Sequence, residues 1–186
     1  MEKNKPDAQE CCERAELFIE RGELDYAIAY LRKALEENPD LAQAHYNLAV
    51  TLEDTDREES MKHYLRTIEL DPENSEAHYG LGRLQGMKGE LDNAIKSFRE
   101  SIRLDPSSGQ AYCGLGVAYS MKKDYKNSVE NLEKAVELDP TDSASYELLG
   151  VIKEEMGDRK KALENYEKSR AIESNPRIEA RIKKLG

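Results

Sequence analysis

The sequence predicts an all-α protein built from repeated pairs of helices, and two observations support this prediction. Four prolines recur after 33, 34 and 34 residues and a fifth follows 36 residues later, at Pro39, Pro72, Pro106, Pro140 and Pro176. Between the prolines lie two amphipathic windows, in which apolar or small residues return at i, i+3, i+4 and i+7. A period of roughly 20–50 residues is typical of repeat proteins, so each period is interpreted as helix, turn and helix.

Residues with special backbone chemistry mark the predicted helix ends. Proline has no amide hydrogen and restricts the residue before it, so each proline is expected to end the second helix of a pair. Polar side chains near the prolines are expected to cap the helices that follow. These predicted N-caps are Asp40, Asn74, Ser108 and Asp142, with Asn175 before Pro176 in the first turn of a last helix. The turns inside the pairs are predicted at Gly22, Gly89, Lys123 and Gly157.

Small residues recur at one position of each predicted helix, where two helices must approach closely. In the first helices they are Ala15, Ala49, Gly82, Gly116 and Gly150. In the second helices they are Ala27, Ser60, Ala94, Ser128 and Ala162.

With these small sites and prolines, the chain resembles the tetratricopeptide repeat family from about residue 8 to residue 175. The resemblance implies a right-handed α-solenoid of five helix-turn-helix repeats and a C-terminal capping helix, residues 177–186, with Ile178, Ile182 and Leu185 on one face. A lead-in of residues 1–7 precedes the repeats. The predicted repeats are 8–41, 42–74, 75–108, 109–142 and 143–176.

Two departures from the repeat pattern carry expectations of their own. Arg14 stands where the other repeats have Leu48, Leu81, Leu115 and Leu149, which suits an end repeat with one side facing solvent. The second repeat is one residue short and has no glycine in its turn. Its second helix is therefore expected to begin late or to lie at a changed angle.

The charge distribution argues against polyanionic partners. Acidic residues outnumber basic ones by 38 to 28, and residues 1–74 hold 19 acids against 9 bases. Such a surface would repel nucleic acid and anionic lipid and attract a basic partner, but solvated helix faces that keep the protein soluble are the favoured interpretation. No window approaches the 18 apolar residues of a membrane span, and Cys11, Cys12 and Cys113 have no disulfide or metal spacing. A cytoplasmic protein is expected.

The glycine-rich stretch "GLGRLQG" is not interpreted as a nucleotide loop, because it lies inside a predicted helix and its glycines have the wrong spacing. His45 and His78 occupy equivalent places in consecutive repeats, and His63 is expected to lie away from both on a second helix. No catalytic constellation or converging metal ligands can be proposed. We therefore expect no enzymatic activity, no cofactor and no metal.

The resemblance implies that the first helices line a concave groove whose exposed positions contact a partner. Gly80 and Gly86, which the repeat does not require, are expected to leave a hollow beside Tyr79, extended by Gly114. The alternative is that Tyr46 and Tyr79 only brace adjacent helices. The predicted groove residues are Tyr46, Asn47, Val50, Tyr79, Gly80, Arg83, Gly86, Met87, Cys113, Gly114, Val117 and Met121. Acids flank them at Glu13, Glu16, Glu20, Glu147, Glu154 and Glu155.

These residues favour a non-catalytic interaction module, or adaptor, that binds a peptide segment with apolar anchors and basic flanking residues. The carboxylate clamp known from co-chaperones of this family is not expected, because only Asn47 matches it, and Cys12, Glu16, Glu76 and Gly80 stand at the other clamp sites. The alternative function is a scaffold that self-assembles into homo-oligomers through its repeat surfaces.

Overall fold

A computed structural model describes residues 7–173 and 175–186, which form helices connected by short turns. Residues 1–6 of the predicted lead-in and Ser174 of the predicted fifth repeat lie outside the described residues. The helices are α1 Ala8–Glu20, α2 Leu24–Glu37, α3 Ala42–Leu52, α4 Arg57–Leu70, α5 Ser75–Met87, α6 Leu91–Leu104, α7 Gly109–Met121, α8 Tyr125–Leu138, α9 Ser143–Glu155, α10 Arg159–Ile172 and α11 Pro176–Leu185.

The all-α prediction is confirmed, and consecutive helices pack as antiparallel pairs. The chain divides within α5 into two compact units, the first ending at Leu84 and the second beginning at Gln85. Within the described residues, no helix is both long enough and apolar enough to span a membrane.

Three of the four predicted N-caps accept a backbone amide hydrogen in the structure, and Asn175 before Pro176 does so as well. Asn74 accepts from Ala77 at 2.8 Å, and Asn175 accepts from Ile178 at 3.0 Å. Ser108 and Asp142 likewise cap α7 and α9. These bonds satisfy amides that have no partner inside their own helix, so they fix where each helix begins.

Asp40 does not cap α3, and that prediction is wrong. The other three caps that follow a proline lie two residues after it, and the equivalent residue before α3 is Leu41, which makes no side-chain cap bond. Asp40 comes one residue too early and instead forms an ion pair with Arg66 of α4.

The four turns predicted at Gly22, Gly89, Lys123 and Gly157 use the left-handed backbone region, whereas the turn between α3 and α4 does not. Gly22, Gly89 and Gly157 have φ values of 73°, 83° and 79°, which glycine adopts without steric cost. Lys123 adopts the same conformation, with φ 61°, in the turn between α7 and α8. The backbone path of this turn is thus kept even where the sequence offers no glycine.

The second repeat is short because its first helix, α3, is shorter than the other first helices. α3 has 11 residues where the other first helices have 13, whereas α4 keeps the 14 residues of every second helix. The expectation that this second helix begins late is therefore wrong. Asp56 holds the start of α4, because its side chain accepts the amide hydrogen of Glu59 at 2.9 Å.

The small sites lie where the two helices of a pair meet. Ser60 and Ser128 each donate a hydrogen bond of 2.6 Å to the carbonyl of the small residue on the partner helix, Ala49 and Gly116 respectively. A Cβ atom added at Gly116 would lie 2.6 Å from the Leu132 side chain. A larger residue there would push the two helices apart.

Candidate functional site

Four apolar side chains of the predicted groove are exposed to solvent. Val117 and Met121 lie one turn apart on α7, and Met121 is 55% exposed. Met87, at the end of α5, is also 55% exposed, and Val50 is exposed on α3 of the first unit. We call these four residues the exposed apolar set. Large apolar side chains left in water are candidates for burial against a partner.

Tyr46 acts as a brace between helices of the first unit. Its hydroxyl donates a hydrogen bond of 2.7 Å to Glu76, which belongs to α5. Its ring meets that of Tyr64 edge to face, with 6.2 Å between the centroids. Burial, together with the hydrogen bond to Glu76, raises the pKa of Tyr46 above its ordinary value. The bracing interpretation of this residue is thus supported.

Asn47 is only 8% exposed, and its amide already has partners. Its Nδ2 donates to Glu16 at 3.1 Å, and its Oδ1 accepts from Gln43 at 2.8 Å. A ligand could use this amide only by breaking bonds that connect α3 with α1. Asn47 therefore stabilises the first unit.

Arg83 is held by an ion pair with Glu53, whose carboxylate also accepts the Tyr64 hydroxyl at 2.6 Å. Glu53 follows α3, Tyr64 lies on α4 and Arg83 lies on α5. The three side chains thus connect three consecutive helices. Replacing Arg83 would disturb this network as well as any ligand contact.

The expected hollow at Gly80 and Gly114 is absent, and that expectation is wrong. A Cβ atom at Gly80 would lie 2.3 Å from Cζ of Tyr64, and one at Gly114 would lie 2.6 Å from Cε1 of Phe98. Aromatic rings of the preceding helix pair fill both spaces. Only Gly86 leaves room, since the nearest atom to its Cβ position, Cβ of Ala94, is 3.9 Å away.

Each of these two glycines follows an aromatic residue by sixteen positions, and this spacing was missed in the sequence. Tyr64 precedes Gly80 and Phe98 precedes Gly114. Where the earlier residue is the smaller leucine, the later one carries a side chain, as in the pairs Leu31 with Asn47 and Leu132 with Leu148. α11 departs from this pattern, because Tyr166 is followed by Ile182 and is covered by Arg181, at 5.8 Å from the ring.

Cys113 is another predicted groove residue with a packing role. It is partly buried against a cluster of the second unit that includes Leu132, Leu149 and Ile152. Burial raises the pKa of its thiol. Tyr79 is half-buried. Binding roles for all the predicted groove residues stay a prediction, with the exposed apolar set as the part open to a ligand.

The histidines of the first unit form a pair, so the expectation that His63 lies away from His45 is wrong. The two Nδ1 atoms are 2.8 Å apart, because α3 and α4 pack with these side chains facing each other. Nε2 of His45 lies 2.9 Å from the carbonyl oxygen of Pro39. A carbonyl only accepts, so Nε2 of His45 carries its proton and Nδ1 accepts from His63.

Two charged side chains approach His63 from neighbouring turns and helices. Glu59 lies 3.7 Å from Nε2 of His63, and Arg32 of α2 binds Glu59 at 3.0 Å. In the part of the chain that the structure describes, no three potential ligands converge as a metal site would require.

We expect the free energy of unfolding to decrease as the pH falls below the ordinary histidine pKa of 6.5. Burial, and then the neighbouring His45, lower the pKa of His63, so the folded state disfavours the proton that the unfolded chain accepts. The stabilisation is present above that pH and is lost below it. Urea denaturation at pH 7.5 and at pH 5.5 measures this change in the free energy of unfolding. The His63→Gln variant should lose less stability over this interval than the wild type, and an equal or larger loss would contradict the assignment.

The comparisons with known proteins agree with this helical architecture. Four sequence models of the tetratricopeptide repeat match the chain. One matches residues 15–56 and 87–123, and the other three match residues 63–96, 109–142 and 143–176. The chain belongs to the tetratricopeptide repeat family. No curated protein sequence matches it significantly.

Several solved structures are similar over most of the chain. MamA is 25% identical, with a TM-score of 0.79 over 86% of this chain and 94% of its own. YrrB is 23% identical, with a TM-score of 0.82 over 98% of this chain and 95% of its own. Pseudomonas aeruginosa pilF is 20% identical, with a TM-score of 0.85 over 96% of this chain and 82% of its own. The likeness to the latter two shows the fold alone.

Proposed function

We propose that this tetratricopeptide repeat protein is a non-catalytic adaptor that binds a peptide segment of a partner protein. The observation that carries the proposal is the exposure of Val117 and Met121 one turn apart on α7, with Met87 exposed in the same unit.

The chemistry of this set favours apolar anchors on the ligand. Burying apolar surface contributes about 25 cal/mol per Å², and methionine adapts its shape to different side chains. Val117 adds rigid branched surface one turn away from the flexible Met121 on α7. A peptide with two or three spaced apolar residues fits such a surface better than a uniformly polar one.

Fewer acidic side chains are open to basic residues of the ligand than the sequence suggests. Glu154 is bound by Arg181 and Lys184 of α11, and Glu147 lies 3.3 Å from Arg177 of the same helix. These carboxylates are therefore neutralised within the chain. Glu155 of α9 stays exposed in the second unit, so it is the carboxylate left there for a basic residue of the ligand.

Similarity to a peptide-binding protein supports this proposal. YrrB, which shares the fold, is described as a tetratricopeptide repeat protein with an unusual peptide-binding site. Repeat arrays bind through contiguous surfaces of their repeats rather than through catalytic centres.

Panning a phage-displayed random peptide library against the wild type tests the proposal. We expect the selected peptides to contain spaced apolar residues and to bind the Val117→Ser, Met121→Ser double variant at least about tenfold more weakly, a loss of about 1.4 kcal/mol or more. Calorimetric titration with one selected peptide measures the change.

The matched control is Leu65→Ser, which removes an exposed apolar side chain from α4, a second helix. It should bind the selected peptide as the wild type does, and all three proteins should melt at similar temperatures because the altered side chains are exposed. Equal binding by the double variant, or equal loss in the control, would contradict the proposed surface.

A further inference from the structure

A stack of three aromatic rings lies on the first helix pair, with Phe18 and Tyr30 partly buried and Tyr26 exposed. The ring of Phe18 stacks on Tyr26, with centroids 5.3 Å apart, and on Tyr30, with centroids 5.5 Å apart. The guanidinium of Arg14 lies over the Tyr30 ring. Tyr26 is 61% exposed, and Leu17 and Leu24 nearby are exposed as well. The first pair therefore presents a sizeable apolar surface to solvent.

The repeat does not require these rings, because the later helix pairs carry polar residues in the same places. Tyr26 corresponds by the repeat spacing to Asn93, Asn127 and Lys161. Tyr30 corresponds to Ser97, Asn131 and Asn165. First and last repeats usually carry polar outer faces that keep the array in solution, so exposed rings on the first pair require a separate explanation.

The first helix pair and the last two helices, α10 and α11, carry opposite net charges. Residues 7–37, which span α1 and α2, hold nine acidic and four basic side chains. Residues 159–186, which span α10 and α11, hold nine basic and four acidic side chains. Two surfaces of equal and opposite charge attract each other when they belong to different molecules.

The outer face of α11 suits an aromatic and acidic surface. Ala180 and Lys183 are exposed on this face, as are Arg177 and Lys184, which also pair with Glu147 and Glu154, whereas Ile178 is buried against α10. Cationic side chains can lie over tyrosine rings at about 6 Å or less, and a small residue between them lets a ring approach the helix. The basic face of α11 therefore has the charge and the shape to bind the aromatic face of α1 and α2 on another copy.

We propose that copies of this chain associate through two different surfaces, the aromatic face of α1 and α2 on one copy and the basic face of α10 and α11 on a second copy. Such an interface is heterologous, so a pair of copies retains one unused aromatic face and one unused basic face, and further copies can add. The association is independent of peptide binding by the exposed apolar set, because it uses different residues.

Two variants, each of which removes one of the surfaces, test this proposal. Tyr26→Ser removes the most exposed ring, and Ala180→Glu with Lys183→Glu reverses the charge of the basic face. All three positions are exposed, and thermal unfolding by circular dichroism verifies that the variants fold. Leu65→Ser is the control for loss of an exposed apolar residue elsewhere.

Sedimentation velocity at protein concentrations from about 10 µM to about 500 µM measures the association. The average mass of the wild type and of the control should rise with concentration and should fall when salt screens the opposite charges. Each of the two variants alone should associate at least about tenfold more weakly. An equimolar mixture of the two should form dimers and nothing larger, because each supplies the surface that the other lacks.

Three results would overturn the proposal. A wild type that stays monomeric over the whole range would exclude association. Association unaffected by the charge reversal on α11 would indicate contact between two aromatic faces. Failure of the mixed variants to form dimers would exclude the pairing of these two surfaces. None of these results would affect the peptide-binding titration, so the two proposals fail separately.

Discussion

The Gly80→Ala variant should have a free energy of unfolding lower than that of the wild type by up to about 2 kcal/mol, although alanine is the better helix former. The added Cβ would lie 2.3 Å from Cζ of Tyr64. Tyr64 is almost fully buried and its hydroxyl is held by Glu53, so the ring has little freedom to move away. Overpacking of about 1–3 kcal/mol therefore exceeds the helix-propensity gain of about 1 kcal/mol.

Gly86→Ala is the matched control in the same helix. Its Cβ would meet no atom closer than Cβ of Ala94, at 3.9 Å, which is an ordinary contact distance. This variant should be more stable than the wild type by up to about 1 kcal/mol. Urea denaturation of both variants measures the difference, whose sign depends on the Tyr64 ring alone.

A double-mutant cycle separates this clash from other effects of the substitution. Tyr64→Leu removes the ring and reproduces the leucine found in the pairs of Leu31 with Asn47 and Leu132 with Leu148. In that background Gly80→Ala should be neutral or stabilising. If it destabilises both backgrounds equally, the clash with Tyr64 is not the cause.

The Glu154→Gln variant should be destabilised by about 2 kcal/mol, because the carboxylate connects three helices. Glu154 of α9 accepts hydrogen bonds from Tyr166 of α10 at 3.0 Å and from Arg181 and Lys184 of α11 at 2.6 and 3.0 Å. Glutamine keeps the size of the side chain but removes the charge on which two of these bonds depend. Hydrogen bonds to charged groups contribute about 1.5–3 kcal/mol each before desolvation costs are subtracted.

The pH dependence of this difference provides a second test. Hydrogen bonds from Lys184, Arg181 and Tyr166 lower the pKa of Glu154 from 4.5 to about 2 against the opposing effect of burial. A lowered carboxyl pKa stabilises the folded state above the ordinary value, and this contribution is lost as the pH falls toward 2. The stability gap between wild type and variant should therefore be full at pH 7 and smaller at pH 3. Glu155→Gln, at the exposed neighbouring position, should show no comparable gap. A gap that does not change with pH would contradict the assignment.

The carboxylate networks show how far the sequence can predict contacts. Glu53 with Tyr64 and Arg83, and Glu154 with Tyr166 and Arg181, are the same combination of residue types on consecutive helices. The arginine follows the tyrosine by 19 residues in one network and by 15 in the other. Repeat spacing alone could therefore not pair these residues, because α11 presents its arginine from a different turn than α5 does.

The sequence by itself determined the repeat period, the helix pairs and most helix ends of this protein, because these depend on local chemistry. Prolines that lack an amide hydrogen, side chains that cap helices and glycines with positive φ act on neighbouring residues, so their effects can be predicted from spacing. Asp40 failed as a cap because it lies one position too early.

Only the tertiary structure decided which small residues leave space and which are filled. The sequence predicts that Gly80, Gly86 and Gly114 all border one hollow, but rings from the preceding helix pair fill the space at Gly80 and Gly114. The pairing of His45 with His63 likewise depends on two helices meeting face to face. The physical reason is that a contact between helices depends on the sizes and directions of two side chains at once, and the repeat pattern specifies the position of each but not their fit.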